Sequence, residues 1–198
     1  DEPTTGLDVE ARRDAWNEVR SFADAGGSVL LTTHSLEEAG ALIIGIGLDS
    51  AEVGNPAAKF QRVYARAGEL GLHRVAHAGE EGGAASVTEA LDLLHIERVD
   101  HGIQAIDDPA LMDRLARAGT PLTVCPLSNV RLRCVDTLAD HPLPAFLEAG
   151  VLVTVNSDDP AYFGGYADTN YEALRATFGF SDEVMARLAR NSVTASFL

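Results

Sequence analysis

Cysteine is nearly missing from this chain. Cys125 and Cys134 are the only two, they form no C-x-x-C pair, and two thiols are too few for a disulfide framework, so reduced cysteines are expected in place of a bridge or a metal knuckle. Basic runs are missing as well. Lys and Arg total 15 against 30 Asp and Glu, a formal net charge of −15. Without a phosphate-neutralising face, nucleic acid and anionic membranes are poor partners. No apolar run approaches the roughly 18 residues of a membrane span, and no charged, apolar, then small-residue leader opens the chain. A cytoplasmic location is therefore expected. There is no initiator Met, and the opening Asp1-Glu2-Pro3 reads as cut from something longer. What is present is enough to fold: 198 residues with 46% hydrophobic content can bury a sizeable core in one or two domains.

The chain divides into two unlike parts. In residues 1–41, Asp8 caps a helix expected over residues 9–23, with Ala11, Ala15, Val19 and Phe22 near the helical repeat. Ala25-Gly26-Gly27 ends it, and residues 28–33 read as a short apolar strand ending at His34. In residues 42–198 the pattern becomes strand then helix, repeated. Strands are expected at residues 42–48, 72–76, 98–101, 121–125 and 151–155, separated by helical stretches such as 56–68 and 86–94. That alternation implies βαβ units and a parallel sheet, an α/β fold whose right-handed crossovers set every strand's carboxyl end on one face. Polar residues collect at those ends: Asp49 and Glu52, His77 and Glu80, His101, Ser128 and Asn129, Asp158 and Asp159. A (β/α) barrel of TIM type builds its active site in this way. Only about five of the eight strands of such a barrel can be read here.

The run T-V-N-S-D-D-P-A-Y-F-G-G-Y is the most telling. Its adjacent carboxylates, Asp158 and Asp159, follow an apolar strand, so neighbouring side chains can be divided between a metal and a polar substrate edge. His77-Ala-Gly-Glu80 and Asp100-His101-Gly102 stand at two further strand ends. Asp49 and Glu52 either line a pocket or shape a turn, and Asn129 is similarly open. His73 shares strand parity with His77, and His95 and His141 read as helix-end or loop residues.

Two resemblances follow from these motifs. D-E-P-T-T-G-L-D and L-L-T-T-H-S-L-E-E-A, in residues 1–40, resemble the end of an ATP-binding cassette (ABC) transporter ATPase domain. The resemblance implies that Asp1 and Glu2 match the Walker B acids, Asp8 the D-loop and His34 the switch histidine. No G-x-x-x-x-G-K-[ST] occurs in the chain, and without that loop nothing cradles a nucleotide's phosphates; the four residues read as a vestigial nucleotide site.

From about residue 43 to 198, the runs G-L-D-S-A-E, H-A-G-E-E-G, V-D-H-G, L-T-V-C-P-L-S-N-V and N-S-D-D-P-A-Y-F-G-G-Y resemble the C-terminal part of the adenosine/adenine deaminase family. The resemblance implies zinc-dependent hydrolytic removal of an amine from a purine, a small-molecule substrate. It implies His77 and Asp158 as Zn²⁺ ligands, Glu80 as the ring protonator, His101 as the group that orients or deprotonates the metal-bound water, and Asp159 as a purine contact, with Asp49 and Glu52 near the substrate. It gives His73 no role, and only on that ground does His73 read as structural. G-L-D-S-A-E-V-G-N-P and D-P-A-Y-F-G-G-Y look closer to adenine deaminases, and Tyr162 and Phe163 are placed to fill the space of a ribose. Family members carry two more zinc ligands as H-x-H, which this chain lacks. Catalytic zinc has three protein ligands, so impaired zinc binding is expected. The competing readings are an ABC ATP-binding subunit fragment and a chimera of two gene fragments joined near residues 40–43.

Overall fold

The computed structural model describes residues 9–24, 44–49 and 51–197. Helix α1, Val9–Asp24, forms where the sequence predicts it, and Ala11, Ala15, Trp16 and Val19 lie on its less exposed side. The strand expected at residues 28–33 lies outside the described residues, as do Asp1, Glu2, Asp8 and His34.

The remainder is α/β. Strands β1 (Gly45–Leu48), β2 (His73–Ala78), β3 (Arg98–His101), β4 (Leu122–Val124) and β5 (Val153–Val155) form one sheet in chain order. Every pairing is parallel. Strand order that never reverses is the arrangement of a (β/α) barrel sector, whereas a doubly wound sheet changes direction at a switch point. The connections carry α2 (Gln61–Glu69), α3 (Ala84–Glu89) running into a π turn at Ala90–Leu94, α4 (Pro109–Ala118), α5 (Pro126–Arg131) and α6 (Leu143–Glu148); α7 (Pro160–Phe163), α8 (Ala167–Phe178) and α9 (Asp182–Thr194) follow β5.

Local chemistry explains the boundaries. Asp108 starts α4 by accepting from the amides of Ala110 and Leu111 with Pro109 in the first turn, and Gly119 ends it at φ 65°, where a residue without Cβ is unstrained. Strand β2 runs beyond the expected 72–76 because pairing continues to Ala78 opposite His101. Strand β5 starts later than the expected 151, because the Val151 amide turns back to the Phe146 carbonyl at 2.9 Å.

Register gives the sheet two faces. Leu48, Ala76, Val99, Leu122 and Val153 are in-register neighbours across all five strands. This apolar row packs under Leu94, Leu115, Phe146, Leu174 and Leu188 in one core, each fully buried side chain contributing about 2 kcal/mol. One residue along, His77, Asp100, Thr123 and Thr154 form the matching row on the other face, as a period of two requires. Thr123 Oγ1 donates to Asp100 at 2.7 Å, and Asn156 Nδ2 to Thr154 Oγ1 at 2.9 Å.

Candidate active site at the carboxyl ends of the strands

Because the sheet is parallel, the polar residues after each strand meet at one end. His77 comes from β2, held by an Nδ1 contact of 3.2 Å to the Leu48 carbonyl, with its Nε2 3.6 Å from Asp49 Oδ1. His101 ends β3. Its register partner is Ala78, so simple alternation would aim its side chain away from the His77 face. Its backbone is left-handed instead, at φ 63°, and the two imidazole centroids lie 4.7 Å apart. Asp158 also has a left-handed backbone, at φ 60°. Such conformations cost non-glycine residues roughly 1–2 kcal/mol and cluster at functional sites.

Asp158 Oδ2 accepts from Ser128 Oγ at 2.6 Å and lies 3.8 Å from His101 Nε2. Its Oδ1 accepts from the Asp159 amide at 2.9 Å. Asp159 itself is exposed at the start of α7. Glu80 Oε1 is 3.1 Å from His101 Nδ1. Burial pushes the Glu80 carboxyl up to about 7; the His77 charge opposes this, and Asp158, Glu52 and Glu81 add to it. Burial, reinforced by His77, lowers the proton affinity of His101 against the pull of Asp158 and Asp100. His77, Glu80, His101 and Asp158, named from the sequence, are thus brought together.

Glu52 has a structural task. Its oxygens accept from the amides of Gly79 and Glu80 at 2.8 Å each, from Gly82 at 3.1 Å and from Ser86 Oγ at 3.1 Å. Three amides converging on one carboxylate form a nest, and it fixes the loop that carries Glu80. Glu52 also lines, with Asp49, His77, Phe60 and Leu48, a cavity of about 300 Å³, at the small end of ligand-pocket sizes. Tyr162 is 79% exposed. Replacing Glu52 with Gln removes several charge-assisted bonds at once, so thermal melting is expected to show a loss of about 3 kcal/mol, roughly 5–10 °C for a chain of this size.

Ser128 and Asn129, placed at a strand end by the sequence, and His141, read there as a helix-end or loop residue, prove to be interior. Ser128 and Asn129 are completely buried, and His141 is 2% exposed. Asn129 Nδ2 lies 3.2 Å from Glu80 Oε1 and 3.3 Å from His101 Nδ1, while its Oδ1 meets His141 Nε2 at 3.3 Å. Burial lowers His141 to about 4. His141 does occupy a loop, as expected, but faces inward. His73 is structural, bonded to Glu97 at 2.8 Å and stacked on Phe197 at 4.0 Å. Cys125 and Cys134 are free thiols.

Among the described residues, ligand atoms of His101, Cys125 and Asp158 lie within 4.8 Å of one another, close enough to hold a metal ion. Burial and then the Asp158, Glu80 and Asp100 charges push the Cys125 thiol far up, so it favours the protonated form, a poor ligand. The donors that remain are imidazole and carboxylate, a set that suits zinc. No helix among the described residues is long and apolar enough to cross a membrane.

Comparison with known proteins agrees with this geometry. Residues 29–198 match the family model for adenosine deaminase. The adenine deaminase of Streptomyces coelicolor is 65% identical over 156 residues, which are 79% of this chain and 46% of that protein. That of Cupriavidus taiwanensis is 50% identical over 98% of this chain and 59% of its own length. The crystal structure of an adenine deaminase from Arthrobacter aurescens superposes with a TM-score of 0.80 at 55% identity, over 92% of this chain and 53% of that one. An amidohydrolase from Burkholderia ambifaria with bound Zn gives 0.74 at 27% identity, over 94% of this chain and 49% of that one. The chain spans about half the length of the relatives it matches. These matches lend no support to an ABC ATPase origin for residues 1–40: the family model takes in His34, and the Cupriavidus taiwanensis match extends over nearly the whole chain. With its motifs gathered at one sheet end and its sequence matched from residue 29 onward, the chain belongs to the adenosine deaminase family.

Proposed function

We propose that the protein takes part in hydrolytic deamination of adenine, with adenosine as the alternative substrate. The observation that carries this is the Glu80–His101 contact of 3.1 Å, between an acid held up to about 7 and an imidazole pushed the other way. Paired groups displaced in opposite senses are how one site provides an acid and a base at neutral pH. The relatives named adenine deaminases support adenine as the base. In overall balance, water adds oxygen at the amine-bearing carbon, the carbon–nitrogen bond breaks, and ammonia leaves.

Glu80, protonated near neutrality, donates its proton to the ring nitrogen beside that carbon. His101, neutral at pH 7, accepts the proton of the attacking water. Asp159, exposed beside Asp158, receives a hydrogen bond from the purine edge, and Asp49 lines the cavity. Zn²⁺, when held by His77 and Asp158, supplies the Lewis acidity that brings water ionisation toward neutral pH. Ser128, bonded to Asp158 Oδ2, orients that ligand.

The test is ammonia release from adenine and adenosine together with zinc content. Two ligands hold the ion weakly, so residues 1–198 alone are expected to show no turnover, and activity is expected once a relative's H-x-H-bearing segment is supplied. In that form Asp158→Ala is expected to lose both metal and turnover. Robust zinc-dependent turnover by residues 1–198 alone, or turnover indifferent to Asp158→Ala, would overturn the assignment.

For residues 1–40 the ABC ATPase likeness rests on sequence motifs alone. With no P-loop in the chain, no ATP hydrolysis is expected. Phosphate release above that of a Glu2→Gln control would restore the nucleotide-site reading.

A further inference from the structure

Glu80 Oε1 and His101 Nδ1 approach to 3.1 Å. Two bare acceptors at that distance repel, so a shared donor or a shared proton must stand between them or beside them. His101 keeps Nε2 free for the base role assigned to it, so its proton is on Nδ1 and is donated to Glu80 Oε1; Asn129 Nδ2, 3.2 Å from the same oxygen, is the second donor to it. The amide can serve in this way only if its oxygen points the other way. Whether it does is decided by the next residue back.

His141 Nδ1 lies 3.1 Å from the Leu143 backbone amide. A backbone N–H can only donate, so Nδ1 accepts and the imidazole proton resides on Nε2. That proton points at Asn129 Oδ1, 3.3 Å away. The chain of donors therefore has one direction: Leu143 amide to His141, His141 to Asn129, Asn129 to Glu80. Burial of His141 and Asn129 shields it from water that could donate or accept in their place.

We propose that His141 and Asn129 are positioning residues that set where the site's protons sit, acting on Glu80, and through it on His101, by an amide whose orientation His141 fixes. The deliverable proton of Glu80 is thereby confined to Oε2, while His101 Nε2, on the side of Asp158, is left free to accept. This inference rests on the acid and base roles assigned above. Without the relay, Asn129 can turn its oxygen toward Glu80 Oε1, where it repels the carboxylate and traps the acid's proton.

The deciding experiment is long-range ¹H–¹⁵N spectroscopy of the imidazoles and of the Asn129 side-chain amide in the full chain, at pH 6 to 8. His141 is expected with Nε2 protonated and Nδ1 an acceptor, and His141→Phe is expected to shift the Asn129 amide resonances and speed their exchange with water. In the zinc-loaded, H-x-H-supplemented form, His141→Phe is expected to lower kcat about tenfold, the low end for groups one shell from a reacting residue. KM should change little, and the pH profile should shift. His141→Gln, whose amide can still donate to Asn129, should recover most of the rate and the original profile. A His141 protonated on Nδ1, or a His141→Phe variant that loses rate only in proportion to lost folded protein with an unmoved pH profile, would overturn the proposal. If no form deaminates, the reaction assignment fails while the nitrogen spectra still decide the relay.

Discussion

Glu80→Gln is expected to reduce deamination by about 10³-fold, within the range general acids contribute, while zinc content stays unchanged. The same substitution is expected to stabilise the metal-free protein at alkaline pH. Burial raises the Glu80 carboxyl from 4.5 to about 7, so between those values the folded state keeps a proton the unfolded state has lost. Its favourable contribution is complete below 4.5 and disappears as pH rises through about 7. At pH 8 the charged carboxylate costs about 1–2 kcal/mol, after allowance for solvent at the open side of the site. Glutamine carries no such cost. Melting curves should separate the two proteins at pH 8 and bring them together at pH 5. Equal activity, or an equal stability difference at both pH values, would remove Glu80 from the acid role. Stability gained by deleting a reacting group is the usual sign of a site shaped for chemistry.

His141 produces the opposite trend. Burial lowers it from 6.5 to about 4, so between these values the unfolded chain binds a proton that the folded one refuses. Stability is complete above about 6.5 and is lost as pH falls toward about 4, by at most about 3 kcal/mol. That is a large share of the 5–15 kcal/mol typical of a folded protein. Urea midpoints measured from pH 7 to pH 4 should fall steeply for the native chain and less steeply for His141→Phe. His101 shifts in the same direction, so some slope remains in the variant. An identical slope in both proteins would show that His141 is not the group being charged.

The strands were legible because their apolar runs end in polar clusters; β3 lies at residues 98–101 as expected. The same spacing identified His77, Glu80, His101 and Asp158 as neighbours, since parallel strands must bring their carboxyl ends together. Other features had no sequence signature. The ligands of Glu52 are three backbone amides, and every residue has an amide. His141 meets Asn129 across an irregular segment in which no periodicity operates. The left-handed backbones of His101 and Asp158 fall on residue types that visit positive φ more than most, but nothing in the sequence singles out these two positions for it. Residues 1–40 illustrate the reverse hazard, because motifs specific in spacing pointed to an ATPase that the comparisons do not support.

A sheet whose spatial order repeats its chain order also has a history. During synthesis each new strand finds its partner already waiting at the growing edge, and early segments can settle before later ones leave the ribosome. The residues of the candidate site arrive by the same schedule: His77 and Glu80 first, His101 next, and Asp158 only after β5. A nascent chain paused before residue 158 therefore holds Glu80 and two imidazoles without Asp158. A metal held through Asp158, as proposed, would be captured only once β5 is in place.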